Sequence, residues 1–193
     1  MRIAYIIPSL YRMAPNRVVQ QLVEGMMARG HECHVFYFDP VTTDAMAFPC
    51  PVTRISLMRA TDLSGFDVVH THGLRPNLYV WIHGVPCGVR AVATIHSYVF
   101  EEFRFIYGRV WGWIFGYLFV RTLSRHDRVV TLSSDAVDHY AHWIRPSRLT
   151  YCYNGVEEPM VDVTVDADDC RRIREHKGDG VLVANICFFD KIK

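Results

Sequence analysis

Apolar positions along the chain follow two alternating rhythms. Short unbroken apolar runs, bounded by proline, glycine or charge, are separated by longer stretches in which apolar residues recur every three or four positions. The first rhythm predicts buried parallel strands and the second predicts amphipathic helices. Ile3–Ile7 is the first such run and Pro8 ends it. Pro15 then suits the opening turn of a helix, whose apolar face carries Val18, Leu22 and Met26 beside Val19, Val23 and Met27. Gly30 supplies its stop. Cys33–Phe38 is a second strand, so the two strands imply a right-handed crossover.

The alternation continues with a weak strand in "PVTRIS", a strand over 67–72, a short helix Leu78–His83 and a strand over 91–96. A long aromatic helix follows over 101–125, then a strand over 127–132. Ser133 or Ser134 caps a helix over 135–143, and 149–153 is a seventh strand. This order predicts an α/β fold, a doubly wound Rossmann-like parallel sheet, with ligands bound beyond the carboxyl ends of its strands. The loops after Ile7, His72, His96, Leu132 and Tyr153 are therefore the candidate positions. "NGVEEPMVDVTVDADD" breaks the rhythm and reads as a solvated linker, followed by a helix over 167–176 and a strand Val181–Ile186. The expected organisation is a domain over 1–154, a linker or crossover over 155–178, and the first strand of a second domain over 179–193.

Composition narrows the partners. Half of the residues are hydrophobic and the formal charge is +1, so no global field points to nucleic acid. Arginine greatly outnumbers lysine, and the only lysines are Lys177, Lys191 and Lys193. Cysteines occur at 33, 50, 87, 152, 170 and 187 with no C-x-x-C pair, which favours a reduced, cytoplasmic chain over a disulfide scaffold. His70 and His72 share one face of a strand, but no nearby residues complete a zinc set, so no metal is expected. The first loop lacks G-x-G-x-x-G, which disfavours a dinucleotide oxidoreductase.

Several motifs, taken in order, resemble glycosyltransferase family 4, in its N-terminal, acceptor-side half. They are "RGHECHVFYFD", "DVVHTHG", "VATIH", "DRVVTLSSDAVDHY", "YNGVE" and "VANICFFDKIK". The resemblance implies one half of a GT-B fold and metal-independent, retaining transfer from a nucleotide sugar to a surface-polysaccharide or glycolipid acceptor, without a separate cofactor. It implies that His96 contacts the transferred sugar near the reacting centre. By the same resemblance Pro15, Asn16 and Arg17 lie near the donor diphosphate and acceptor, with His72, Ser133 and Asn154 as further substrate-side candidates. The resemblance puts Lys193, or Lys191 under a shifted alignment, at a position that neutralises donor phosphate. An N-cap also accounts for Ser133, an ordinary turn for Asn154, and a structural role for His72.

The chain departs from the family pattern in places. Met13-Ala14-Pro15-Asn16 replaces a glycine-containing first loop, Tyr153 stands for a proline, and Phe188 stands for a phosphate-binding arginine. The family's paired glutamates are expected beyond Lys193, so the donor site is expected to be incomplete here and the chain alone nearly inactive. The alternative is a non-catalytic Rossmann-like binding module that pairs with a separate donor-binding partner.

The segment 103–121 admits two readings. Val110–Val120 carries no charge but is too short to span a bilayer. Gly108, Gly112 and Gly116 form a row that invites close approach by the sheet or by a second helix. Burial of Trp111 and Trp113 against the sheet is the plainer reading. The other places the arginine-flanked aromatics on an anionic membrane surface, as a peripheral contact on the inner face.

Overall fold

The structure is a computed structural model that describes residues 1–41, 45–155 and 166–183. Seven parallel strands form one sheet in the order β3-β2-β1-β4-β5-β6-β7. They are β1 (Arg2–Ile7), β2 (Glu32–Tyr37), β3 (Val52–Arg54), β4 (Val68–His72), β5 (Arg90–Thr94), β6 (Arg128–Thr131) and β7 (Leu149–Tyr151). The strand order reverses between β1 and β4, which is the switch point of a doubly wound sheet. The unbroken apolar runs become central strands because both of their faces are covered: Ile3 to Ile7 are all buried.

Two cores follow from the period-2 alternation. Ala4, Ile6, Val69 and Ala91 pack on one side with Tyr79 and Val80 of helix α2 (Leu74–His83). Ile3, Tyr5, Ile7 and Val35 pack on the other with Val19 and Val23 of helix α1 (Ala14–Ala28). A third cluster joins Ala93, Ile95, Val129 and Leu149 to helix α3 (Val99–Thr122) and helix α4 (Ser134–Tyr140). Helix α2 starts four residues earlier than its apolar pattern announces, because Gly73, at φ 99°, turns the chain straight out of β4. "PVTRIS" supplies only the three residues of β3.

The long aromatic helix is not one rod. Gly108 has φ 80° and ψ 177° and breaks α3 into two limbs, 99–107 and 109–122. The second limb folds back on the first. A Cβ added at Gly112 would lie 2.3 Å from the Arg104 backbone, and one at Gly116 would lie 2.4 Å from the Phe100 ring. Along a straight helix, residues 104 and 112 would be about 12 Å apart. The glycine row therefore serves a close helix–helix contact, and the partner is the helix's own beginning. Phe103 bridges the limbs by ring contacts to Phe115 and Phe119.

Burial of Trp111 and Trp113 against the sheet is corrected: they are 60% and 58% exposed. Phe105, Tyr107, Val110 and Leu118 of the same hairpin are also exposed. Among the described residues, no helix is long and apolar enough to cross a membrane.

The chain divides into two compact units, Met1–Asn154 and Gly155–Lys193. Within the second lies helix α5 (Ala167–Lys177), capped by Asp166, whose carboxylate accepts from the amides of Asp168 and Asp169. Acids fill its first turn and bases its last, which suits the helix dipole. Residues 181–183 form no strand. The rest of the expected strand to Ile186, and Lys193, lie outside the described residues.

One prediction tests the hairpin. Gly112→Ala is expected to destabilise the protein by about 1–3 kcal/mol, as overpacking does, although alanine is the better helix former. Gly25→Ala in α1 meets only the flexible tip of Arg29, at 3.4 Å, and is expected to be neutral or stabilising. Thermal melts of the two variants check this.

Candidate functional site

The site is assembled at the carboxyl edge of the sheet beside the switch point. Parallel register places His70 opposite Val92 and His72 opposite Thr94, with His96 two residues beyond. Side chains alternate, so His70, His72, Thr94 and His96 fall on one face, beside Tyr5 of β1. Diagonal neighbours across the two strands then meet. His70 Nε2 lies 2.8 Å from Thr94 Oγ1, and His72 Nδ1 lies 2.9 Å from His96 Nε2. The Tyr5 ring packs at 5.5 Å from the His70 ring and 6.3 Å from that of His72.

These imidazoles are held neutral. Burial lowers the pKa of His96 to about 4. Burial lowers that of His70 to about 3, and the neighbouring His96 and His126 add to the shift. His72 is pushed well below its ordinary value by burial and then by His70 and His96. Protonating both rings of the His72–His96 pair would place two cations 2.9 Å apart in a poorly solvated site.

His96 is half-buried, not sealed inside. With Nε2 committed to His72, Nδ1 is the nitrogen left for a ligand. The loop beyond it is fixed from α4: Tyr140 donates to Ser97 O at 2.7 Å and accepts from Val99 N at 2.9 Å. Ser97 also hydrogen bonds Glu102 in the first turn of α3. Sequence reading missed Tyr140, because only the fold brings it to this loop.

The other expected residues divide sharply. His72 is 1% exposed and supports the His96 ring through its Nδ1. Its Nε2 is buried without a hydrogen-bond partner among the described residues. Asn16 is 3% exposed and its amide donates to Ser9 O at 2.9 Å and Tyr11 O at 2.8 Å. It staples the first loop to the start of α1.

Pro15 lies in the first turn of α1 as expected. Arg17 is exposed and its guanidinium donates to Gln20 at 2.8 Å. Ser133 is the N-cap of α4, accepting from Ala136 N at 3.2 Å. Asn154 is exposed at the end of the first unit. The structure thus brings His70, His72 and His96 together and leaves Arg17, Ser133 and Asn154 on other loops. Among the described residues, no group of three or more His, Cys, Asp or Glu is arranged to hold a metal ion.

Comparison with known proteins fits this geometry. The profile of Glycosyltransferase Family 4 matches residues 15–158. An O-antigen biosynthesis glycosyltransferase, WclY, from Escherichia coli is 33% identical over 205 residues, covering 100% of this chain and 55% of that protein. The chain thus spans about half the length of the curated relatives it matches. Among solved structures, a sucrose-phosphate synthase from Thermosynechococcus elongatus superposes with a TM-score of 0.62 at 14% identity, over 81% of this chain and 49% of that one. Anabaena HepE, solved with UDP and glucose, gives 0.57 at 13% identity, over 92% of this chain and 50% of that one. At such identities the structures share the fold alone.

Proposed function

The chain belongs to glycosyltransferase family 4, and on that premise we propose that it is the acceptor-side half of an enzyme that moves a sugar from a nucleotide-sugar donor to a glycan or lipid-linked acceptor. The observation that carries this reading is the neutral, half-exposed His96 at the carboxyl edge of the sheet, with one ring nitrogen fixed by His72 and the other left for a ligand. Glycosyl transfer builds positive charge on the sugar and negative charge on the leaving phosphate. A neutral imidazole can hydrogen bond a sugar hydroxyl there without adding a fixed charge that would oppose either. Retention at the anomeric carbon accords with the family resemblance. The similarity to relatives named for O-antigen biosynthesis supports a surface polysaccharide as the product class.

The donor-binding half, in this reading, is carried by the part of the relatives that this chain does not span. Donor diphosphate then approaches the first loop and the start of α1, where Arg17 is exposed. The same reading takes Lys193 as a further phosphate contact.

The α3 hairpin supports peripheral contact with a membrane, at the cytoplasmic face where a nucleotide-sugar donor is available. Val110, Trp111, Trp113, Ile114, Tyr117 and Leu118 expose apolar surface on the second limb alone. Arg109 and Arg121 bracket that surface. Aromatic and apolar side chains beside arginine suit the interface of an anionic bilayer.

Two outcomes are expected. With the donor-binding half present, His96→Ala lowers kcat about 10²-fold or more, the scale of losing one hydrogen bond made to a developing charge. Activity within twofold of the parent, measured across a panel of nucleotide sugars, would remove His96 from the chemistry. Separately, the protein is expected to sediment with vesicles containing phosphatidylglycerol and not with pure phosphatidylcholine. Trp111→Ser with Trp113→Ser should abolish that sedimentation, and binding that survives the double substitution would contradict the hairpin assignment.

A further inference from the structure

A second groove opens at the carboxyl edge of the sheet, over the ends of β2 and β3. It encloses about 720 Å³, and its lining includes Phe38, Arg54, Ser56, Arg59, Thr61 and Arg75. Exposed arginines are ordinarily unplaced, but these three stand on pinned structure. Arg54 donates from Nε to Phe38 O at 2.9 Å, which leaves its two terminal nitrogens for another partner. Arg75 pairs with Asp39 and lies over the Phe38 ring, 5.7 Å from its centroid. Arg59 has no side-chain partner among the described residues, yet its loop is held twice by α2. His83 Nε2 bonds Leu57 O at 2.9 Å, and Thr61 N donates to Tyr79 Oη at 2.7 Å. Ile55 and Leu63 bury the two ends of the same loop.

Charge indicates the ligand. None of the residues that line the groove is a carboxylate; beside it, Asp39 is already used by Arg75 and Asp62 accepts from Ser64 N at 2.9 Å. Arg54 and Arg59 therefore bring two uncompensated positive charges to one groove. Guanidinium groups bind phosphoryl oxygens in a bidentate fashion, and a dianion matches the charge that is left.

We propose that this groove is a phosphoryl-binding subsite. Assigning the phosphoryl group to the acceptor rests on the acceptor-side reading above, whereas binding of the group itself does not. The group can be borne by a soluble sugar phosphate or by a lipid, and both present the same oxygens to Arg54 and Arg59.

The test is titration of this chain with inorganic phosphate and pyrophosphate, followed by calorimetry and by amide chemical shifts. Saturable binding is expected, with shifts at residues 54–61, and Arg59→Gln or Arg54→Gln should weaken it at least tenfold. Arg29→Gln, at the other end of α1 where the guanidinium donates to Gly25 O, should leave it unchanged. Circular dichroism of each variant confirms folding, and Arg59 gives up no contact within the protein when replaced.

A second arm uses phosphatidylcholine vesicles with and without phosphatidic acid. If Arg59→Gln weakens both phosphate and vesicle binding, the group is lipid-borne; if it weakens phosphate alone, the source is soluble. Absence of saturable phosphate binding overturns the proposal. So does binding insensitive to Arg54 and Arg59, or glucuronate bound as tightly as phosphate. Because no sugar transfer is measured, failure here is distinguishable from failure of the enzymatic reading.

Discussion

The parallel register between β4 and β5 is the constraint on which the site depends. It sets His72 opposite Thr94, so the residue two positions further along β5's path, His96, meets His72 diagonally at 2.9 Å. A slip of one residue would send His70 and His72 to the other face of the sheet. Val69 and Thr71 would then face Tyr5, and the core under α2 would receive two imidazoles. The apolar alternation of β1, β4 and β5 resists that slip, because Ala4, Ile6, Val69 and Ala91 form one continuous buried layer.

Holding neutral imidazoles at this edge has a cost that the rest of the fold offsets. Among the described residues, His72 keeps a buried nitrogen without a partner, and Asn77 and His126 each do the same on the other face. Buried polar atoms left unpaired cost on the order of 1–3 kcal/mol each. The Thr71 hydroxyl ties Asn77 and His126 together at 2.6 and 2.9 Å, so that cluster retains some of its hydrogen bonding. The His72–His96 pair lies at the end of the strand where ligands of this fold class bind.

Much of this architecture was legible in the chain. Unbroken apolar runs marked the strands, and the strand–helix alternation gave the doubly wound sheet. His96 was placed at a strand end by the same pattern. The failures have physical causes. Periodicity cannot distinguish a histidine at an open edge from one sealed beneath it, so the burial of His72 was not legible. Asn16 stands where helix starts commonly present polar groups outward, but its amide instead closes the loop that precedes it. The glycine row at 108, 112 and 116 announced close packing without naming the partner. A single residue at positive φ, Gly108, turns one predicted rod into a hairpin, and this exposes the tryptophans. The arginine groove gave no signal, since its residues come from three separate segments.

The central claim is that His96 is a neutral imidazole joined to His72 and open to a ligand through its other nitrogen. The most direct measurement is a nitrogen-15 NMR titration of the histidine rings between pH 4 and 8. The account predicts that His96 remains neutral through the physiological range and takes up its proton only near pH 4, with Nε2 hydrogen bonded to His72. A His96 ring that titrates at its ordinary value near 6.5, or that shows no bond to His72, would contradict it.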